Sequence, residues 1–207
     1  MIWILFFPCI LLTMLFCYLT NPIVCLFANE DGELPHILRY WQTWDDSLNP
    51  RCYATKMAPK CLQYDWDKHY IEYEIDTPEL RAVGRNRYVA KCINNDFTLK
   101  ERLQRYLCRV LWIYRNCAYG FAFWVFGNVV NTASAKETIF VQKTTGRELR
   151  IGWDTSKPVT NRPWWIKCDW KITNSMEWNV YLGWKWSKNK EANRRCMIAN
   201  RIAIKFC

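Results

Sequence analysis

The first 29 residues of this 207-residue chain contain no Asp, Glu, Lys or Arg. The chain has only two histidines and no pair of cysteines spaced C-x-x-C, so no zinc site is expected. Gly and Pro are sparse, 7 and 8, and recur at no period, which excludes collagen-like and linker-like chains. No fixed repeat, Ser/Gly linker, G-x-S-x-G, H-E-x-x-H, Walker or Rossmann pattern is present. Half the residues are hydrophobic, which excludes a disordered chain and leaves enough apolar mass for a core.

The charge-free leader is apolar from Met1 to Phe27, with Pro8 and Pro22 near its ends. About 20 apolar residues cross a bilayer as a helix, the one local form that satisfies its own backbone there. A cleaved signal peptide fits less well. No basic residue precedes the core, the core is too long, and Leu26-Phe27-Ala28 is a poor cleavage site. Residues 1–28 are therefore read as a single transmembrane anchor in a lipid bilayer. Its orientation is not fixed, because Arg39 on one side and the α-amino group on the other give no clear positive-inside bias.

Beyond the anchor, charge is unevenly placed. Residues 30–99 hold 12 acids and 9 bases, whereas residues 100–207 hold 7 acids and 20 bases. Residues 29–207 are read as one α+β domain with an acidic proximal part, 29–99, and a basic part, 100–207. Leu34 to Trp44 is expected to form a short helix, and His69 to Ile75 alternates as a strand. Thr77-Pro78 opens and Gly84 closes another short helix. The clearest helix spans about 98–115: Thr98 and Glu101 form a capping box, and Leu99, Leu103, Tyr106, Leu107, Val110, Leu111 and Tyr114 recur on one face. Arg102, Arg105 and Arg109 form a basic stripe beside that face, a candidate lipid-facing surface. Ala118 to Val130 is apolar but too short to span, so it reads as buried or interfacial. From Thr138 onward the pattern is alternating. One face collects Ile166, Cys168, Trp170 and Ile172, and others collect Trp178, Val180, Leu182, Trp184 and Trp186, then Ile198, Ile202, Ile204 and Phe206. Turns at Thr144-Thr145-Gly146, Thr173-Asn174-Ser175 and Ser187 to Asn193 separate the runs, giving an antiparallel meander of about five strands.

Candidate chemistry is thin. Seven tryptophans lie between Trp153 and Trp186, but Arg150, Lys167, Lys171, Lys185, Arg201 and Lys205 fall on the opposite strand phase. Base stacking needs both on one face, so nucleic acid is not the expected partner. Asp154 with Asp169-Trp170-Lys171 imitates a metal-nuclease pattern but lacks its Pro-Asp element, and the acid spacing of phage lysozymes is absent. No catalytic residue, metal or cofactor is expected. The eight cysteines outside the anchor permit either disulfides or free thiols.

Three stretches carry a resemblance: Thr20-Asn21-Pro22-Ile23-Val24-Cys25-Leu26-Phe27-Ala28-Asn29-Glu30-Asp31-Gly32-Glu33-Leu34-Pro35, then Tyr40-Trp41-Gln42-Thr43-Trp44-Asp45-Asp46-Ser47-Leu48-Asn49-Pro50, and Arg115-Asn116-Cys117-Ala118-Tyr119-Gly120-Phe121. Together the chain resembles a family of membrane proteins of unknown function encoded by tailed bacteriophages. Members often carry Pro where this chain has Cys117. The resemblance implies a phage origin and a host inner-membrane address, and brings no activity. The polar loop Trp41, Gln42, Thr43, Trp44, Asp45, Asp46 and Asn49 is the candidate interaction site, set against a plain Asx turn that stops a helix. The expected function is an accessory protein binding a host or phage membrane protein or another envelope partner. A holin-like lysis factor and a membrane-tethered nucleic-acid-binding module are the alternatives. The sequence sets no oligomeric state.

Overall fold

The computed structural model describes residues 2–75, 87–131, 133–142, 147–173, 176–184 and 194–206. The chain forms two compact units, one of residues 11–121 and one of residues 1–10 with 122–207. The composition shift near residue 100 therefore falls inside the first unit and not between the two.

Helix α1 (Ile2–Cys25) is one unbroken helix, about 36 Å long at 1.5 Å per residue, and its residues from Leu11 onward belong to the first unit. Pro8 and Pro22 are accommodated within it. The stretch 34–44 is not a helix: it makes only a three-residue 3-10 turn, His36–Leu38, and then bends. The loop that follows takes its hydrogen bonds from elsewhere. Ser47 N donates to Tyr88 O and Tyr88 N to Asp45 O, which lays the loop beside the backbone of Tyr88 through an isolated parallel bridge, Asp46 with Tyr88. A π-turn (Tyr53–Met57) and a 3-10 turn (Lys60–Leu62) lead to the antiparallel pair β1 (Tyr70–Ile75) and β2 (Arg87–Cys92). The alternation expected over 69–75 gives a strand, but only its start is buried: Ile71 and Tyr73 are exposed. The helix expected between Thr77 and Gly84 lies outside the described residues.

Helix α2 (Leu99–Arg115) starts where the capping box places it. Glu101 N donates to Thr98 Oγ1 at 3.2 Å, and Thr98 N returns to Glu101 Oε2 at 2.8 Å. Its buried surface differs from the single apolar face read from spacing. Leu99 and Leu103 are exposed, while Gln104, Cys108, Arg109, Val110 and Ile113 are buried. The reason is that the helix is packed on two sides. Cys108, with Leu111 and Trp112 beside it, joins Tyr53, Tyr64, Trp66, Tyr70 and Phe97. Val110 and Ile113 join Val24, Cys25, Leu34 and Leu48. Gln104 Nε2 donates to Cys61 O and Gln63 O, at 2.9 and 3.0 Å, which satisfies the 3-10 turn beneath it.

The second unit is built on a five-stranded antiparallel sheet of β4 (Ala135–Gln142), β5 (Arg147–Asp154), β6 (Trp164–Thr173), β7 (Met176–Trp184) and β9 (Ile198–Phe206), in the order 4-5-6-7-9. The faces read from alternation meet in register: Ile166 opposes Leu182, Cys168 opposes Val180 and Trp170 opposes Trp178, and β9 adds Ile202 beside Val180 and Ile204 beside Trp178. The meander is thus present with the expected phases. The turns at 144–146, 174–175 and 187–193 lie outside the described residues. Deep burial is concentrated at one end of the sheet. There Trp165 stacks on Tyr181 at 5.5 Å, Trp165 lies over Gly152, and Trp184 donates its indole N–H to Phe126 O at 2.9 Å. A Cβ on Gly152 would sit 2.2 Å from Trp165 Nε1, so that position tolerates only glycine. A two-stranded ribbon, β3 (Asn128–Val130) with β8 (Arg194–Cys196), closes this end. Arg195 donates to Phe123 O and Trp124 O, at 2.9 and 2.7 Å, fastening the end of the six-residue helix α3 (Tyr119–Trp124). At the sheet's far side Phe140 and Trp170 stay exposed, since a sheet face is covered only where a second layer reaches it.

Asp154, half of the nuclease-like pattern, is fully buried and spends its carboxylate on local backbone and hydroxyls. It accepts from Asn131 N at 2.9 Å, Ser134 Oγ at 3.1 Å, and Ser156 N and Oγ at 2.8 and 2.6 Å. Asp169 pairs with Lys167. Burial pushes the Asp154 carboxyl up, but these four donors outweigh it and hold it below the usual carboxylate range. This is the chemistry of a turn clamp.

The capping box gives a direct test of the helix start. Thr98→Ala is expected to cost about 1 kcal/mol, read as a lowered guanidinium midpoint with unchanged slope. No change in midpoint would show that α2 is fixed by its packing alone.

Candidate functional site

Helix α1 has two unlike faces. Ile10, Cys17, Asn21, Val24 and Cys25 are buried, at a spacing of three, four and seven residues. Leu12, Leu15, Leu19, Ile23 and Leu26 lie opposite and are 58 to 71% exposed. The buried face is fixed by aromatic residues with polar tips. Trp41 Nε1 donates to Thr20 Oγ1 at 2.8 Å, Tyr106 OH donates to Pro22 O at 3.0 Å, and Tyr18 stacks on Tyr114 at 5.6 Å. Residues 18–25 are therefore packed on the first unit and are not a detached rod. Val24 and Cys25 belong to the core of the first unit.

Just past the helix, the chain wraps a buried cation. Arg109 is 6% exposed. Its guanidinium donates to Asn29 O at 2.7 Å, Glu30 O at 3.2 Å, Ala28 O at 3.3 Å and Asn49 Oδ1 at 2.8 Å. No carboxylate touches it among the described residues; carbonyl dipoles alone solvate the charge. Burial pulls its pKa down, and the neighbouring Arg105 adds to that. The stripe read from spacing therefore comes apart. Arg109 faces the interior. Arg105 is half-buried, donating to Tyr70 OH at 3.1 Å with its guanidinium 4.1 Å above the Phe97 ring. Only Arg102 is exposed, and its Nε turns back to Phe97 O at 3.3 Å. Spacing along a helix gives the angle of a side chain but not what another segment brings to that angle.

The polar loop is likewise turned inward. Gln42, Thr43, Trp44, Ser47 and Asn49 are all buried, Trp41 is half-buried, and only Asp45 and Asp46 reach the surface in part. Gln42 accepts from Leu34 N at 3.0 Å and donates to Asp46 O at 3.1 Å; Thr43 Oγ1 donates to the same carbonyl at 3.1 Å. Asn49 Nδ2 donates to Glu30 O at 3.0 Å while its oxygen receives Arg109. Trp66 Nε1 donates to Asn49 O at 2.9 Å. Phe121 N donates to Tyr40 O at 3.0 Å, and a Cβ on Gly120 would sit 2.5 Å from both Tyr40 O and Gln42 O. Gly32 has φ +80, and a Cβ there would press on the Asn49 side chain at 2.7 Å. The three stretches that carry the resemblance thus converge on one buried scaffold. Sequence reasoning found the residues and missed their direction.

An α+β protein with, among the described residues, one apolar helix long enough to cross a membrane, Phe6–Cys25, is the class these features define. The chain belongs to a family of unknown function, DUF7338, whose profile matches residues 1–206. No curated protein and no solved structure matches it.

Asp46 in the loop has a displaced titration. Burial first, and then the nearby Asp45 and Glu72 carboxylates, push it up to about 8 against the pull of Ser47 N–H and Arg87. The folded chain therefore keeps a proton that the unfolded chain releases near pH 4. Stability is expected to fall as pH rises from about 4 to 8 and to level off above that. Asp46→Asn removes the titration, so its stability relative to wild type is expected to rise across that window. Parallel pH profiles for the two proteins would contradict this.

Proposed function

We propose that this protein is a bacteriophage accessory protein held in the host inner membrane by α1, acting there by binding a membrane or envelope partner. The observation that carries the reading is the outer face of α1. Leu12, Leu15, Leu19, Ile23 and Leu26 form a continuous apolar surface with no charged residue anywhere in the helix. An apolar patch of this length on a water-soluble monomer is rare, and hydrocarbon is its simplest cover. Trp41, Tyr106 and Tyr114, set around Tyr18, Thr20 and Pro22, are amphipathic side chains of the kind enriched at headgroup level. In this reading α1 enters the bilayer as the outer wall of a folded unit. The inward-facing loop and Arg109 hold that wall in place, and the partner meets the surface outside the scaffold.

The test is membrane retention of the full chain expressed in bacteria. Wild type is expected in the membrane pellet after carbonate extraction. Leu15→Asp with Leu19→Asp touches only the outer face, at a cost of roughly 3–4 kcal/mol per residue at bilayer centre, and is expected to move the protein to the supernatant. Wild type in the supernatant, or both proteins equally retained, would overturn the reading.

A further inference from the structure

Cys17 and Cys117 are far apart in sequence and meet inside the first unit. Cys17 is 0% exposed, at the centre of the face that α1 turns inward. Cys117 follows the end of α2, where Asn116 closes the last turn by donating both its backbone N–H and its side-chain Nδ2 to Trp112 O, at 3.1 and 3.0 Å. The next residue, Ala118, is buried and takes a left-handed conformation, φ 57, that a non-glycine residue adopts only under constraint. This corner aims Cys117 at α1. Its Sγ donates to Met14 O at 3.5 Å, one helical turn before Cys17 and on the same side, which brings the two thiols together. Asn21, one turn further on, is 0% exposed and neither atom of its amide is hydrogen-bonded. An apolar pair would fill this space at no polar cost, so the cluster reads as chemistry held in reserve. Cys108, also buried, shows the ordinary alternative: its thiol turns to the carbonyl of Leu62 at 3.4 Å. No disulfide joins the described cysteines.

We propose that Cys17 and Cys117 form a redox-switched staple, a dithiol that oxidises to a disulfide and locks the inner face of α1 onto the unit it packs against. The Cys17 thiol beside it draws the Cys117 thiol below its ordinary range against the opposing effect of burial. Cys117 is therefore the attacking sulfur, because the thiolate is the nucleophile. Its partner is a disulfide of the glutathione type. The Cys117 thiolate attacks one sulfur of glutathione disulfide, forming a mixed disulfide and releasing one glutathione thiolate, which takes up the proton that Cys17 gives up. The Cys17 thiolate then attacks the Cys117 sulfur, forming the Cys17–Cys117 bond and releasing the second glutathione. The protein loses two electrons and two protons, and one glutathione disulfide becomes two glutathiones. The staple belongs to an oxidising compartment and opens in a reducing one. The proposal rests on the packing of α1 against its own unit and stands whether or not its outer face meets lipid.

The experiment is disulfide mapping of the purified full-length protein. The protein is equilibrated with glutathione disulfide, denatured in N-ethylmaleimide, digested with trypsin without reduction and analysed by mass spectrometry. Trypsin leaves Cys17 in peptide 1–39, with Cys9 and Cys25, and leaves Cys117 in peptide 116–136. The expected result is that these two peptides are joined in most of the protein and separate on reduction. The link persists in Cys9→Ser and in Cys25→Ser, and is lost in Cys17→Ser and in Cys17→Ala. Wild-type peptides with Cys17 and Cys117 both alkylated after oxidation would overturn the staple. So would a link that survives removal of Cys17.

Discussion

The first unit depends on a buried cation, Arg109, that meets no carboxylate among the described residues. A guanidinium taken out of water needs its donors filled, and an unpaired charge in a protein interior is among the costliest features a fold carries. Arg109 meets that need with the carbonyls of Ala28, Asn29 and Glu30 and the amide oxygen of Asn49. These acceptors come from two segments that the helix must hold in register: the chain leaving α1 and the loop ahead of Tyr53.

The other contacts of the unit follow from that placement. Asn49 serves Arg109 with its oxygen and Glu30 O with its nitrogen, so the loop cannot shift without stranding both. Gly32 must lie flat against Asn49, which explains a glycine in left-handed conformation there. Gln42 and Thr43 fold the loop onto the Asp46 carbonyl, and Gly120 lets the chain after α2 pass against the loop's backbone. Helix α1 is then seated by Trp41 and Tyr106, leaving its opposite face apolar and uncovered by its own unit. The scaffold and the exposed face are two sides of one arrangement.

How much of this is legible in the sequence depends on how local the cause is. The capping box at Thr98, the phases of β6, β7 and β9 and the apolar run of α1 are set by neighbours in the chain or by strand alternation, and each is present as read. Arg109 is different. Together with Arg102 and Arg105 it reads as a solvated stripe, because nothing within one helical turn reveals that Ala28 and Asn49 arrive from far along the chain. Leu99 and Leu103 mislead in the opposite sense, extending an apolar face past the point where anything covers it. The 41–49 loop reads as a surface site because polar loops usually are one. Its side chains are instead the hydrogen-bond partners of buried backbone, a role that composition cannot distinguish from binding. The one advance signal was the clustering of Gln, Thr, Asp and Asn next to two tryptophans, which suits a loop that folds inward as well as one that reaches out.

The most direct measurement of this account is a double-mutant cycle on Arg109 and Asn49, with Arg109→Met, Asn49→Leu and the pair compared by denaturant unfolding. Removing Arg109 alone takes the donor from buried carbonyls and from Asn49 Oδ1 and is expected to cost about 1–3 kcal/mol, the cost of leaving a buried polar group unsatisfied. Because the two side chains share one network, the pair is expected to cost less than the separate losses combined, by about 1 kcal/mol or more. Additive losses within about 0.5 kcal/mol, or an Arg109→Met loss no larger than that of an exposed arginine, would contradict the central place given to this cation.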